Sequence, residues 1–288
     1  MSKFIDTIFD AASPSAEPGN TFATNQGPNI LPPRGKFLDH FRISLFGDVT
    51  VAPVTLETAL AALSQFTFKA GQETRIQLSA SDILAVMATF YKELPAVWEN
   101  TDSAGTTYCL GLKIPIHETI DPSTTYSWSA TYAAQTNFSA VKLCIEAIYL
   151  SSPSAEHAKI IVPISYTTPG STGMSAVNAR LQNLGNLIGL MLFTPTRLSD
   201  GLDVMDIQRI QLVESGKQTS MLNVANAKNI LGQSDYEALG PIGEVLIDYA
   251  YWDMSDDPID VKAGYLEFIA DVEATAGATR LIPIIAKS

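Results

Sequence analysis

The chain has 288 residues, 46% hydrophobic and only 17% charged, enough apolar material for one large core or two of moderate size. Eighteen Lys and Arg stand against 30 Asp and Glu, a formal net charge of −12. Phosphate neutralisation needs clustered cations, and no basic run is present, which argues against direct nucleic-acid binding.

No basic start followed by an apolar run opens the sequence, so no signal peptide is expected and synthesis in the cytoplasm follows. In "SKFIDTIFDAA", Phe4, Ile5, Ile8 and Phe9 fall at i, i+1, i+4 and i+5. That spacing predicts a short amphipathic helix with Asp6 and Asp10 off its apolar face. The Pro-, Gly-, Ser- and Asn-rich stretch that follows reads as a tether, making residues 1–35 an extended N-terminal arm. Such an arm docks on its own core or grips a neighbour or a lipid surface.

Strand patterns dominate residues 36–150. "FRISLF", "LGLKIPIHE", "YSWSATY" and "AVKLCIEAIYL" alternate apolar and polar side chains, as in antiparallel sheets with one buried face. Trp128, alternating with serines, is placed in the core. Two helical patterns interrupt. One is "TLETALAALSQF", with Leu56, Leu60, Leu63 and Phe66; the other is "SDILAVMATFYKEL", with Ser81 as N-cap. Between them lies "ETRIQL". Cys109 and Cys144 form no CxxC and read as buried free thiols.

"SSPSAEH", residues 151–157, reads as a linker. Residues 158–288 then repeat the order. A strand, "KIIVPISYTT", precedes a helical pattern over "SAVNARLQNLGNLIGLM", whose apolar stretch is too short and too interrupted to cross a bilayer. Arg-Ile-Gln-Leu then recurs at Arg209–Leu212, followed by a helical "TSMLNVANAKNIL" and a capping-box pattern at Ser234–Glu237. "EVLIDYAYWD", "GYLEFIADVEA" and "TRLIPIIA" close the chain as strands. The repeated tetrapeptide, with Lys142-Leu143 and Arg280-Leu281 at matching places in the last strand of each half, predicts two copies of one all-β unit. Five or six strands are legible per half, where a jelly roll needs eight.

No catalytic set emerges, so no enzyme is expected. His40, His117 and His157 include no His-x-His for a metal-binding roll. His117 lies opposite Ile114 and Ile116 in the alternation and is expected to face solvent or a partner. There is no Gly-x-Ser-x-Gly, P-loop or GxGxxG. The loop "YWDMSDDPIDVK" gathers Asp253, Asp256 and Asp257, a weak candidate for a structural calcium ion without EF-hand spacing; no other cofactor is expected. Trp98, in a loop-like stretch, is a candidate interface anchor or sugar-stacking residue.

Two tandem antiparallel units, the flexible arm with its amphipathic start, the helices after Arg-Ile-Gln-Leu and the missing catalytic set resemble the double jelly-roll major capsid proteins. These build tailless icosahedral viruses, among them lipid-containing bacteriophages of corticovirus, tectivirus and finnlakevirus type. The resemblance covers about residues 36–288 as architecture and rests on no diagnostic motif. It implies an all-β fold of two tandem antiparallel jelly-roll sandwiches with short flanking helices. It implies homotrimeric, pseudo-hexagonal capsomers that contact neighbouring capsomers, minor capsid proteins or an internal membrane, with the chain located in the virion. Phe4, Ile5, Ile8 and Phe9 would then make the arm's membrane or neighbour contact, and Trp98 and His117 would sit at interfaces. Two other classes remain open at this point: an all-β binding module such as a lectin or receptor-binding spike, and a bicupin-type metalloenzyme.

Overall fold

The computed structural model describes residues 3–12, 25–26, 37–51, 56–91, 96–98, 107–132, 138–152, 158–168, 175–181, 185–193, 207–214, 217–223, 250–260, 266–272 and 277–287. The chain divides into two compact units, the first running to Lys159 and the second starting at Ile160. The linker expected at 151–157 falls mostly outside the described residues, as does the capping box read at Ser234–Glu237.

The first unit contains β1 (Lys3–Ala12), β2 (Asn25–Gln26), β3 (Phe37–Val49), α1 (Leu56–Ala61), β4 (Leu63–Ala70) and β5 (Glu73–Leu78). These are followed by α2 (Ala80–Tyr91), β6 (Ala96–Trp98), β7 (Thr107–Thr119), β8 (Tyr126–Tyr132) and β9 (Phe138–Leu150). One sheet runs β1-β9-β3-β7-β6, and the other strands of the unit run β5-β4-β8-β2. Set aside the three-residue β6 and number the rest in chain order. The sheets then read 1-8-3-6 and 2-7-4-5, the strand order of an eight-stranded jelly roll.

Alternation sets the registers. Phe41, Ile43 and Leu45 of β3 sit opposite Ile114, Leu112 and Leu110 of β7. On the other side they face Ala147, Ile145 and Leu143 of β9. All nine side chains are buried. A one-residue slip would turn the whole set outward, so burial pins the pairing. In the facing sheet, Phe66 and Phe68 of β4 pair with Ala130 and Trp128 of β8. Phe41 meets both Phe66 and Phe68 edge to face, at ring-centroid distances of 5.7 and 5.1 Å, which joins the two sheets. Trp128 is core, as its alternation with serines predicts.

Three differences from the sequence reading stand out in this unit. Residues 3–12 are not an amphipathic helix but strand β1, paired antiparallel with β9 from Lys3↔Leu150 to Ala12↔Lys142. A bulge between Thr7 and Phe9 shifts the alternation halfway, so the apolar residues mimic helical spacing. The tether contributes β2, where Asn25 and Gln26 pair with Ala130 and Ser129. These two strands, with β4, are the ones missing from the sequence count. Finally, the helix read over residues 55–66 stops at Ala61, and Leu63 and Phe66 belong to β4.

The second roll takes β10 (Lys159–Ile161) and β11 (Ile164–Thr168) as its first strand. It continues through β12 (Ser175–Leu181), β13 (Asn186–Phe193), β14 (Ile207–Glu214), β15 (Lys217–Asn223), β16 (Ala250–Asp253), β17 (Ile259–Asp260), β18 (Leu266–Val272) and β19 (Gly277–Ala286). Its strands run β16-β13-β19-β10, with β11 also on β19 and β17 also on β13, and β12-β18-β14-β15. Counting β10 with β11 and β16 with β17, the orders are again 1-8-3-6 and 2-7-4-5. The fold is two tandem antiparallel jelly rolls of identical strand order.

Here too helical readings fail. "SAVNARLQNLGNLIGLM" is β12 and β13, and "TSMLN" lies in β15, with the rest of that pattern outside the described residues. A continuous apolar run such as "NLIGLMLF" fits a buried strand as well as a helix by periodicity alone. Gly189 decides locally: a Cβ there would lie 2.7 Å from the Tyr251 hydroxyl, because the Tyr251 ring crosses β13 at that point.

The repeated tetrapeptide does not mark equivalent strands. Arg75–Leu78 belongs to β5, fifth in its roll, and Arg209–Leu212 to β14, fourth in its roll. The duplication is real in strand order, but this repeat is not its trace. Lys142 and Arg280 hold up better. Each lies in the eighth strand, opposite a phenylalanine of the third: Phe46 in one roll, Phe193 in the other. The Arg280 guanidinium lies over the Phe193 ring, 4.6 Å from its centroid.

Candidate assembly surface

Among the described residues, strand β1 ends its sheet, with β9 on one side and no described strand on the other. Phe4 is 42% and Ile5 59% exposed; with Val51 they are the large apolar side chains exposed among the described residues. Their register on β9 is Phe4↔Tyr149 and Ile5↔Ile148. Two adjacent apolar residues on an edge strand are an adhesive feature, which isolated proteins generally avoid. Asp6, the next residue, is the gatekeeping charge beside them. Burial pushes the Tyr149 phenol up, and the Asp6 charge adds to it. Ile8 and Phe9 lie in the same strand, astride the bulge, with side chains outside the described set.

The other sequence candidates are not brought together with these. Trp98 lies in β6 and pairs with Cys109 of β7; its side chain is outside the described set. Asp253, Asp256 and Asp257 are exposed, and Asp253 accepts a hydrogen bond from the Ser255 backbone at 2.9 Å, which closes a local turn. Among the described residues no three His, Cys, Asp or Glu converge as a metal site. Cys109 and Cys144 form no disulfide and are half-buried, and burial pushes the Cys109 thiol up.

His117 needs correction. It is buried, not turned to solvent, and its backbone lies in the left-handed region at φ 52°. The alternation that placed it outward breaks at this point. From Leu38 to His40, β3 advances two residues while β7 advances three, from Glu118 to Pro115. The irregularity gathers a charge cluster that sequence reasoning missed. His40 Nδ1 lies 2.7 Å from Asp39 Oδ2, and His117 Nδ1 lies 3.7 Å from Asp39 Oδ1. The His40 hydrogen bond, with lesser pulls from His117 and Lys113, holds the Asp39 carboxyl below its ordinary value. One residue further, Glu118 Oε1 meets the buried Arg75 guanidinium at 3.3 Å, and Glu73 holds the same guanidinium at 3.1 Å. Arg75 is in β5 and Glu118 in β7, so this ion pair bridges the two sheets. Adjacent acidic and His residues in "FLDHF" and "PIHET" were the available signal, but only pairing across strands joins them.

The sequence matches no family model, and no curated protein matches it. Solved structures do resemble the fold. A chain in the atomic structure of Sulfolobus Turreted Icosahedral Virus superposes with a TM-score of 0.68 at 13% identity, covering 99% of this chain and 91% of that one. The major capsid protein P2 from Bacteriophage PM2 gives 0.57 at 9% identity, covering 100% and 98%. A chain of the PBCV-1 virus capsid gives 0.57 at 9% identity, covering 99% and 93%. At such identities the likeness concerns the path of the backbone, and it extends over both units: this chain has the double jelly-roll fold.

Proposed function

We propose that this chain is the major capsid protein of a tailless icosahedral virus, a structural subunit that works by tiling with copies of itself. The observation that carries the reading is the pairing of two complete rolls of identical strand order in one polypeptide. That arrangement is matched end to end by chains from virus shells. Three copies of a two-roll chain present six similar lobes, which approximates a hexagon and lets a nearly six-fold tile close with three-fold symmetry. The low charged fraction, 17%, suits extensive subunit contact, because the centres of interfaces are depleted in charge.

In this reading the chain resides in the virion and has no catalytic role. Phe4 and Ile5 on the edge of the first roll contact a neighbouring subunit or an underlying membrane. The purified protein is expected to be a trimer of its 31.0 kDa chain, seen as six-cornered particles by electron microscopy. Light scattering that finds a stable monomer from micromolar to millimolar concentration would sink the assignment. Ile5→Asp is expected to leave the monomer folded while weakening the contact at least about tenfold, since burying an unpaired charge outweighs one exposed apolar side chain. Sedimentation of the two proteins at equal concentration reads the difference.

A further inference from the structure

We propose that one ordered water molecule is built into the first roll over Ala70, where it joins the Arg75 guanidinium to the Tyr126 hydroxyl and ties the two sheets together. The strands set the place. Across β5, β4 and β8, Glu73, Ala70 and Tyr126 lie opposite one another, so their side chains share one face. Ala70 and Tyr126 are buried, so that face is the interior one. Neighbouring strands lie about 4.8 Å apart, which leaves Glu73 and Tyr126 roughly 10 Å apart across the small Ala70 methyl. Arg75, also buried, is turned to the same side by a bulge: β5 advances two residues, from Ile76 to Thr74, while β4 advances one, from Phe68 to Lys69. From the facing sheet, Glu118 Oε1 reaches the Arg75 guanidinium at 3.3 Å.

Hydrogen-bond counting names the occupant. Arg75 Nε is buried, and among the described residues nothing accepts its proton. Tyr126 Oη accepts from the Asp121 backbone N–H at 3.0 Å, but its own proton meets no acceptor among the described residues. Burial pushes the Tyr126 phenol up, and the nearby Glu118 charge adds to it, so that proton stays in place. The ring is fixed by stacking on Phe68, with 6.0 Å between centroids and 9° between planes. Two buried donors therefore need an acceptor, because a buried donor left unpaired is costly. An anion there would meet the carboxylates of Glu73 and Glu118, and a cation would meet the guanidinium. Water suits both. It accepts one hydrogen bond from Arg75 Nε and one from Tyr126, and its two protons go to carboxylate oxygens, which carry several lone pairs each. The site lies within one roll and does not depend on assembly.

A crystal structure of the full chain, at a resolution that shows ordered water, tests this together with a second crystal soaked in bromide. The expected result is one water oxygen within hydrogen-bond distance of both Arg75 Nε and Tyr126 Oη, with no anomalous bromide signal in that place. Bromide there, an empty space, or Arg75 Nε donating straight to a protein oxygen would overturn the proposal. Thermal unfolding supplies a second readout. Ala70→Val occupies the water's place and leaves both donors unpaired, so the midpoint should fall by about 3 °C or more. In a Tyr126→Phe background one of those donors is already gone, and the fall caused by Ala70→Val should shrink by roughly half. A fall that stays undiminished there marks simple crowding, and a midpoint that rises with Ala70→Val marks a dry space; either result refutes the water.

Discussion

Arg75 leaves the middle of β5 and ends between Glu73 and Glu118, where its charged group is almost wholly out of water. Removing one member of a buried pair strands the other, which costs far more than the pair contributes over apolar replacements. Arg75→Met should therefore destabilise the first roll by about 3–5 kcal/mol, and Arg75→Met with Glu118→Leu should recover most of that. Urea unfolding of the single and double variants measures both. Asp39 gives a pH signature of opposite origin. Its folded carboxyl titrates below the ordinary value because His40 donates to it. A lowered carboxyl contributes stability that is full above about pH 4 and is lost as pH falls through its folded value. Asp39→Asn should flatten that part of the acid limb in a stability-against-pH curve. None of this was legible residue by residue. Arg75 read as half of a repeat and His117 as a surface residue, because an ion pair across two sheets and a bulge both depend on which strands become neighbours.

Helix α2 shows what an element can announce by itself. Ser79 Oγ accepts from the Asp82 backbone N–H at 3.2 Å, and the Ser79 backbone N–H donates to Asp82 Oδ2 at 3.1 Å, a reciprocal capping box. The sequence reading chose Ser81 as the cap, two residues late, yet found the helix itself. Ser79→Ala should cost about 1 kcal/mol and fray the first turn of α2, measurable by unfolding and by amide exchange at Ile83. The helix buries nearly every described side chain from Ala80 to Thr89. That is why its apolar composition and cap signal sufficed. The strands that were misread lacked such marks. In β1 a bulge counterfeited helical spacing, and β2 is two residues long within a run rich in turn formers. In β13 the apolar run is continuous, so neither period is expressed.

At the scale of the molecule, the sequence disclosed two all-β halves by the order of their strongest strands, while the tetrapeptide that drew attention to them was out of step by one strand. What survived between the halves is connectivity, which depends on a pattern of buried and exposed positions. That pattern tolerates nearly complete replacement of individual residues. The same tolerance explains how chains at 9–13% identity keep one fold.

The pairing of Lys3 with Leu150 also governs how such a chain is made. A ribosome adding about 5–20 residues each second needs roughly 7 to 30 seconds to deliver Leu150 after Lys3. Throughout that interval the adhesive first strand, with Phe4 and Ile5, has no partner to receive it. The sheet that it borders cannot be finished until the eighth strand emerges. In the second roll the wait recurs between Ile164 and Leu281. Nascent chains are therefore exposed to premature association twice, and slowing translation only after β9 has cleared the exit tunnel should raise the yield of correctly folded first rolls.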